Sequence, residues 1–267
     1  MGFKDLLGKK LLFFDGATGP QLQARGLKPG EIPESWNFIH PEIVEAVHRS
    51  YLDIGSNIVK SNTFGANPLK LKGTGLDSRE VIHAAVNIAK KAIAGRPEKF
   101  VALNIGPCGK LLAPIGDLPF EVAVENFGLM ARYGEEAGAD LILIETMSDT
   151  YELKACILAC KENTNLPICV TMTFDQSGKL LTGGSVETAS IICEALGADA
   201  IGFNCGLGPE QVGKLLDQMV NATNLPIIVN PNAGLPVERD GKTCYDVGPE
   251  EFADLMYKLA DRASIIG

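Results

Sequence analysis

The sequence of 267 residues holds only three histidines, and they do not form a ligand set: His40 lies in a loop segment, His48 and His83 on helix faces. There is no Cys-x-x-Cys pair and no His-Glu-x-x-His motif, so no local zinc signature is present. No apolar run approaches the roughly 18 residues of a membrane span, and the opening MGFKDLLGKKLLFFDG is too short and too broken by charge for an export signal. No basic patch interleaved with aromatics occurs, which argues against nucleic acid as a partner. Without an export signal, the seven scattered cysteines read as reduced thiols and the cytoplasm as the expected location. The net charge of −9 serves solubility. Repeats, low-complexity tracts and linker-like stretches are missing as well.

What remains is a cadence. Short apolar runs predict strands at Leu11–Asp15, Ile58–Asn62, Phe100–Ile105, Leu141–Glu145, Ile168–Thr173, Ala200–Asn204, Ile227–Asn230 and Ala263–Ile266. They lack a clean polar alternation, as strands of a parallel sheet buried on both faces do. Helical stretches separate them. Pro41 opens one over Glu42–Gly55 with Ile43, Val47, Tyr51 and Ile54 on its apolar face. Pro209 and Pro249 sit in the first turns of two others, followed by acids that suit the helix dipole, and Gly55, Gly95, Gly138 and Gly197 sit where left-handed caps belong. Gly26–His40 is the one long irregular connection. Eight strands and seven helices in strict alternation predict a single (β/α)8 barrel over 1–267, with a doubly wound open sheet as the alternative. No eighth helix follows the eighth strand, so the barrel is expected to be truncated at its C-terminus.

In such a barrel chemistry gathers at the C-terminal ends of strands. Those ends read Asp15-Gly16-Ala17-Thr18-Gly19, Asn62-Thr63-Phe64-Gly65, Gly106-Pro107, Glu145-Thr146, Thr173-Phe174, Asn204-Cys205-Gly206 and Asn230-Pro231-Asn232-Ala233-Gly234. Asp15-Gly16 is either a plain turn or a carboxylate with free N–H groups that holds an amino-acid head group. Glu145, carried out of a buried strand, needs a cation: a salt bridge to a neighbouring loop or a substrate ammonium. Cys205 is either a small packing residue or a metal ligand. Cys156 and Cys160, four apart on an Ala- and Leu-rich helix, read as packing, as do Cys108, Cys169, Cys193 and Cys244. Gly206-Leu207-Gly208 lacks the third glycine and following acid of a dinucleotide loop, and the Gly106–Lys110 segment lacks the spacing of a phosphate loop. Lys60 sits two residues before its strand's exit, which argues against a Schiff-base lyase or aldolase.

Taken in order, Asp15-Gly16-Ala17-x-Gly19, Asn62-Thr63-Phe64-Gly65, Ile105-Gly106-Pro107, Ile144-Glu145-Thr146, Gly202-x-Asn204-Cys205 and Pro231-Asn232-Ala233-Gly234 resemble the homocysteine S-methyltransferase family across essentially the whole chain. Gly206–Glu210 and Pro231–Pro236 look most like its cobalamin-dependent methionine synthase branch. The resemblance implies a barrel with zinc held by three cysteines, Cys205 being the first. It implies that Asp15, the amides of Gly16 and Ala17, and Glu145 bind homocysteine, with Asn62, Thr63, Phe64, Asn204 and Asn232 lining the site. The two further zinc ligands are expected as adjacent cysteines after a Gly-Gly pair, whereas Ile265-Ile266-Gly267 reaches the first glycine and stops; two of three ligands are thus expected beyond Gly267. Zinc would convert a thiol of reference pKa near 8.5 into a thiolate without a general base. The implied methyl donor is methylcobalamin on a corrinoid-binding partner domain. The alternatives are a direct methyltransferase using S-methylmethionine or betaine, and a metal-free relic that still binds a thiol.

Overall fold

In the computed structural model, residues 2–239 and 242–267 are described, with the side chains of 236–244 left aside. Cys244, expected to pack, therefore lies outside the described side chains. The strands are β1 (Leu12–Phe13), β2 (Ile58–Lys60), β3 (Phe100–Ile105), β4 (Leu141–Met147), β5 (Ile168–Met172), β6 (Ala200–Asn204), β7 (Ile227–Asn230), β8 (Pro236–Arg239), β9 (Lys242–Tyr245) and β10 (Ile265–Ile266). The helices are α1 (Phe3–Leu6), α2 (Thr18–Gln23), α3 (Trp36–Ile39), α4 (Pro41–Asp53), α5 (Pro68–Leu71), α6 (Ser78–Ile93), α7 (Phe120–Ala137), α8 (Thr150–Asn163), α9 (Val186–Ala195), α10 (Pro209–Ala222) and α11 (Pro249–Tyr257). Eight parallel strands form one sheet in the order β1-β10-β7-β6-β5-β4-β3-β2. A parallel bridge between Phe14 and Ile58 joins its two ends. The protein is a TIM barrel.

The expected cadence holds, with additions. An antiparallel hairpin, β8–β9, stands between β7 and α11 where only a connection was expected. Gly26–His40 is less irregular than expected: a 3-10 turn over Pro33–Ser35 runs into α3. The buried stripe of α4 is Val44, Val47, His48 and Leu52, while Ile54 falls beyond the helix and is 82% exposed. That stripe is displaced from the expected one because packing against α6 and α2 selects the buried face, leaving Ile43 and Tyr51 only half-buried. Gly55, Gly95, Gly138 and Gly197 all have positive φ, as their cap positions require. Among the described residues no helix is long and apolar enough to cross a membrane.

Two cores follow from the two-residue period of a strand. Val59, Val101, Leu103, Ile105, Ile142, Ile144, Val170, Ile201, Phe203 and Val229 face the helices in the larger cluster. Their alternates Leu12, Ile58, Phe100, Ala102, Leu141, Leu143, Cys169, Ala200, Ile228 and Ile265 fill the barrel interior. The short α1 closes the N-terminal end of that interior with Phe3 and Leu6, the Phe3 ring meeting Phe100 edge-on at 5.7 Å between centroids.

One more step along each strand, the inward positions turn polar. Ile58 is followed by Lys60, Ala102 by Asn104, Leu143 by Glu145, Cys169 by Thr171, Gly202 by Asn204 and Ile228 by Asn230. The barrel is thus hydrocarbon below and polar above. That change of character marks the site.

Candidate active site at the barrel mouth

Glu145 and Thr146 lie where the pairing of β4 with β5 shifts register between Ile144 and Met147. The two-residue period of β4 carries Glu145 inward, 8% exposed, and the bulge beyond it leaves Thr146 with φ +63°. A β-branched residue in the left-handed region costs on the order of 1–3 kcal/mol and persists only where its surroundings impose it. Asn204 imposes it here. Its Oδ1 accepts the Thr146 N–H at 3.1 Å and its Nδ2 donates to Thr146 Oγ1 at 2.7 Å. The carbonyl of Asn204 accepts from Thr173 Oγ1 at 3.1 Å, so three strand exits are tied through one side chain and its backbone.

Cys205 follows directly, with φ +55°, and Gly206 with φ +68°. Two consecutive left-handed residues turn the chain sharply off β6. The cysteine is left exposed, the only one of the six described cysteines that is not buried. Its sulfur lies 3.3 Å from Asn204 Nδ2. Burial by surrounding atoms pushes the thiol up, and the Glu145 carboxylate adds to that; the Lys60 ammonium and hydrogen bonds from Thr146 and Asn204 pull the other way. Cys205 is therefore within electrostatic reach of both Glu145 and Lys60. Cys108, Cys156, Cys160, Cys169 and Cys193 are buried, consistent with packing.

Glu145 meets a cation from inside the barrel rather than from a loop. Lys60 Nζ donates to Glu145 Oε1 at 3.0 Å and stands 3.9 Å from Asp15 Oδ1. Asn104 Nδ2 donates to Glu145 Oε2 at 2.8 Å. Asp15 is fully buried, its Oδ2 accepting the Lys60 main-chain N–H at 3.0 Å while Oδ1 has no hydrogen-bond partner. Burial raises the Asp15 carboxyl to about 7, against the pull of the Lys60 charge and N–H. Burial also works against the Lys60 charge, but the Glu145 and Asp15 carboxylates outweigh it and hold the ammonium well above its usual range.

The first loop is shaped by packing. A Cβ on Gly16 would come within 2.8 Å of the Tyr51 hydroxyl, which donates to the Ala17 carbonyl at 3.2 Å. Asn62 and Thr63 are buried and engaged. Asn62 Nδ2 donates to the Pro33 carbonyl at 2.8 Å and to Asn37 Oδ1 at 3.0 Å, and Thr63 Oγ1 donates to the Asn104 carbonyl at 2.8 Å. They fix the β2 exit and the Pro33–Ile39 segment rather than offering free groups. Phe64 is half-buried against Gly106, where a Cβ would fall 2.7 Å from its ring. Asn232 is half-buried and its N–H donates to the Leu207 carbonyl at 3.0 Å, anchoring the β7 exit beside the Cys205 turn. A groove of about 600 Å³ runs alongside that turn, lined by Thr173, Phe174, Leu180, Leu181, Leu207 and Leu235 among others.

Sequence reading brought Asp15, Glu145, Asn204 and Cys205 to one mouth, and the structure groups them there. Lys60, weighed in the sequence only as a candidate Schiff-base lysine, and Asn104, not singled out there, join them. The available signal was a polar residue at an inward position of a strand whose neighbours are all apolar, as in Ile58-Val59-Lys60 and Leu103-Asn104-Ile105.

Comparison with known proteins matches residues 12–267 to the homocysteine S-methyltransferase family model. The chain is 30% identical to the methionine synthases of Mycobacterium tuberculosis, over 269 aligned positions, and Mycobacterium leprae, over 272, each alignment covering 94% of this chain and 22% of the relative. It spans about a fifth of the length of those relatives. The metallated form of the homocysteine methyltransferase MmuM from Escherichia coli has the same fold, with a TM-score of 0.82 over 97% of this chain and 91% of that one at 22% identity. With the family match running from the first barrel strand to the last, this chain belongs to the homocysteine S-methyltransferase family.

Proposed function

We propose that the chain transfers a methyl group to the sulfur of an aliphatic thiol, homocysteine being the acceptor its family is named for, in the polar layer at the barrel mouth. The observation that carries this reading is the exposed Cys205, held in a left-handed turn at the β6 exit within electrostatic reach of Glu145 and Lys60. In the transfer the acceptor sulfur gives up its proton and forms a bond to the methyl carbon as that carbon's bond to the donor breaks. The chain's residues supply positioning. The Asp15–Ala17 turn and Glu145 bound the acceptor's polar end, and Asn204 and Asn232 hold the two exits flanking Cys205.

The family implies zinc, which when bound keeps a thiol as thiolate at neutral pH. Cys205 offers one soft donor for it. No group of three His, Cys, Asp or Glu side chains among the described residues could hold an ion, so those residues do not complete a zinc site. Cys205 as a zinc ligand therefore requires donors from outside them. The proposed methyl donor is methylcobalamin carried by another domain. Support comes from the much longer methionine synthase relatives and from the apolar groove beside Cys205, where Leu181 is 76% exposed.

The test is methyl transfer to homocysteine by the protein containing this chain, with methylcobalamin and S-methylmethionine offered in separate reactions. Methionine formed only with the corrinoid supports the reading; formation from S-methylmethionine alone reassigns the donor. In the same protein Cys205→Ala is expected to lower zinc content and activity together. Full retention of metal refutes the ligand assignment.

A further inference from the structure

An amino-acid acceptor would bring its ammonium to the two buried carboxylates of the mouth. That position is already filled. The Lys60 ammonium lies 3.0 Å from Glu145 Oε1 and 3.9 Å from Asp15 Oδ1, with its side chain only 7% exposed. Three of the four carboxylate oxygens have donors from the chain itself: Lys60 Nζ, Asn104 Nδ2 and the Lys60 main-chain N–H. The fourth, Asp15 Oδ1, is sealed from solvent and faces Lys60.

Charge points the same way. Lys60 and Glu145 cancel, and burial leaves Asp15 protonated for much of the time near neutrality. A second cation in this enclosure would stand beside a fixed ammonium with no unbalanced anion to receive it. Like charges repel strongly where water is excluded. The lysine is not mobile surface: Ile58 beneath it and Val59 beside it are fully buried, and its backbone pairs with β3.

We propose that Lys60 is a specificity-determining residue that occupies the ammonium position between Asp15 and Glu145, so that the preferred acceptor is an aliphatic thiol without an ammonium group at that end. This rests on the thiol-methylation reading and narrows its substrate class. Lys60 acts by occupying space and charge; it takes no part in the bond changes.

Homocysteine and 4-mercaptobutyrate, which is homocysteine without its amino group, are the matched probes. Their affinities for the wild-type protein are measured by titration calorimetry, and their methylation is measured in parallel. The wild type is expected to bind 4-mercaptobutyrate at least as tightly as homocysteine. In Lys60→Met the ratio should swing toward homocysteine by about tenfold or more, the worth of one ammonium–carboxylate hydrogen bond. Lys60→Arg should keep the wild-type preference. Should Lys60→Met fail to fold, the wild-type and Lys60→Arg ratios decide the matter. Wild-type preference for homocysteine by tenfold or more overturns the proposal and leaves thiol methylation standing, as does an unchanged ratio in folded Lys60→Met. Failure of both thiols to bind or react overturns the methylation reading, and this proposal with it.

Discussion

Replacing Asp15 with asparagine should stabilise the protein, and by an amount that depends on pH. Asp15 is fully buried, and its carboxyl titrates at about 7 in the folded chain against an ordinary 3.8. Between those values the unfolded chain has released a proton that the folded chain still holds. Stability therefore falls as pH rises through that window, and the loss is complete above about 7. At about 1.4 kcal/mol per pH unit, the span amounts to about 4 kcal/mol at pH 8 and to well under about 1 kcal/mol at pH 4. Asparagine has the shape of the neutral acid and never ionises. Asp15→Asn should consequently match the wild type near pH 4 and exceed it by up to about 4 kcal/mol at pH 8. Urea denaturation followed by circular dichroism, run on both proteins from pH 4 to 9, reads this difference directly. A difference that stays flat across the range, or a wild type that gains on the variant toward alkaline pH, would show that Lys60 holds Asp15 ionised and that burial is not the dominant influence.

Other substitutions probe separate parts of the fold. Asn204→Ala removes both hydrogen bonds that hold Thr146 in its left-handed conformation; we expect a loss of about 1–3 kcal/mol in denaturation and weaker thiol binding, and unchanged binding would mean the turn is held by the bulge alone. At Gly202 a Cβ would lie 1.9 Å from the Ile228 carbonyl oxygen, so Gly202→Ala should force β6 from β7 and cost at least about 3 kcal/mol; a melting temperature near wild type would contradict the strand spacing. His48 is buried with neither ring nitrogen hydrogen-bonded, and burial lowers its pKa to about 4. Because the unfolded imidazole takes up a proton near 6.5 and the folded one does not, stability falls as pH drops from 6.5 to 4, and His48→Leu should flatten that decline by up to about 3 kcal/mol in acid denaturation curves.

The strand and helix cadence was legible because each element carries its own local signal. Buried parallel strands must be apolar on both faces, and Pro41, Pro209 and Pro249 mark helix starts by restricting φ whatever the rest of the chain does. The mouth residues Asp15, Glu145, Asn204 and Cys205 were legible for a related reason: they end apolar runs, and a parallel barrel aims all such ends to one side. The β8–β9 hairpin was not expected, although Asp240-Gly241 in the sequence between Val237-Glu238-Arg239 and Lys242-Thr243-Cys244 is the usual two-residue hairpin signal; the expected β-then-α alternation left no place for an antiparallel pair. The face that α4 buries was also beyond sequence reading, because the helix start alone does not say which side meets the barrel.

Partnership was decided only in three dimensions. Lys60 and Asn104 are each the one polar residue of an apolar strand and Glu145 ends the apolar run of β4; Asn104 and Glu145 are 41 residues apart along the chain, Lys60 and Glu145 85. Sequence shows that each must find a counter-group, since a buried charge or amide without one is costly. Which group it finds depends on strand register and barrel closure, which put every second residue of neighbouring strands at the same height inside the barrel. The positive φ of Thr146 and Cys205 is of the same kind: neither residue type favours it, and only the contacts made after folding hold it.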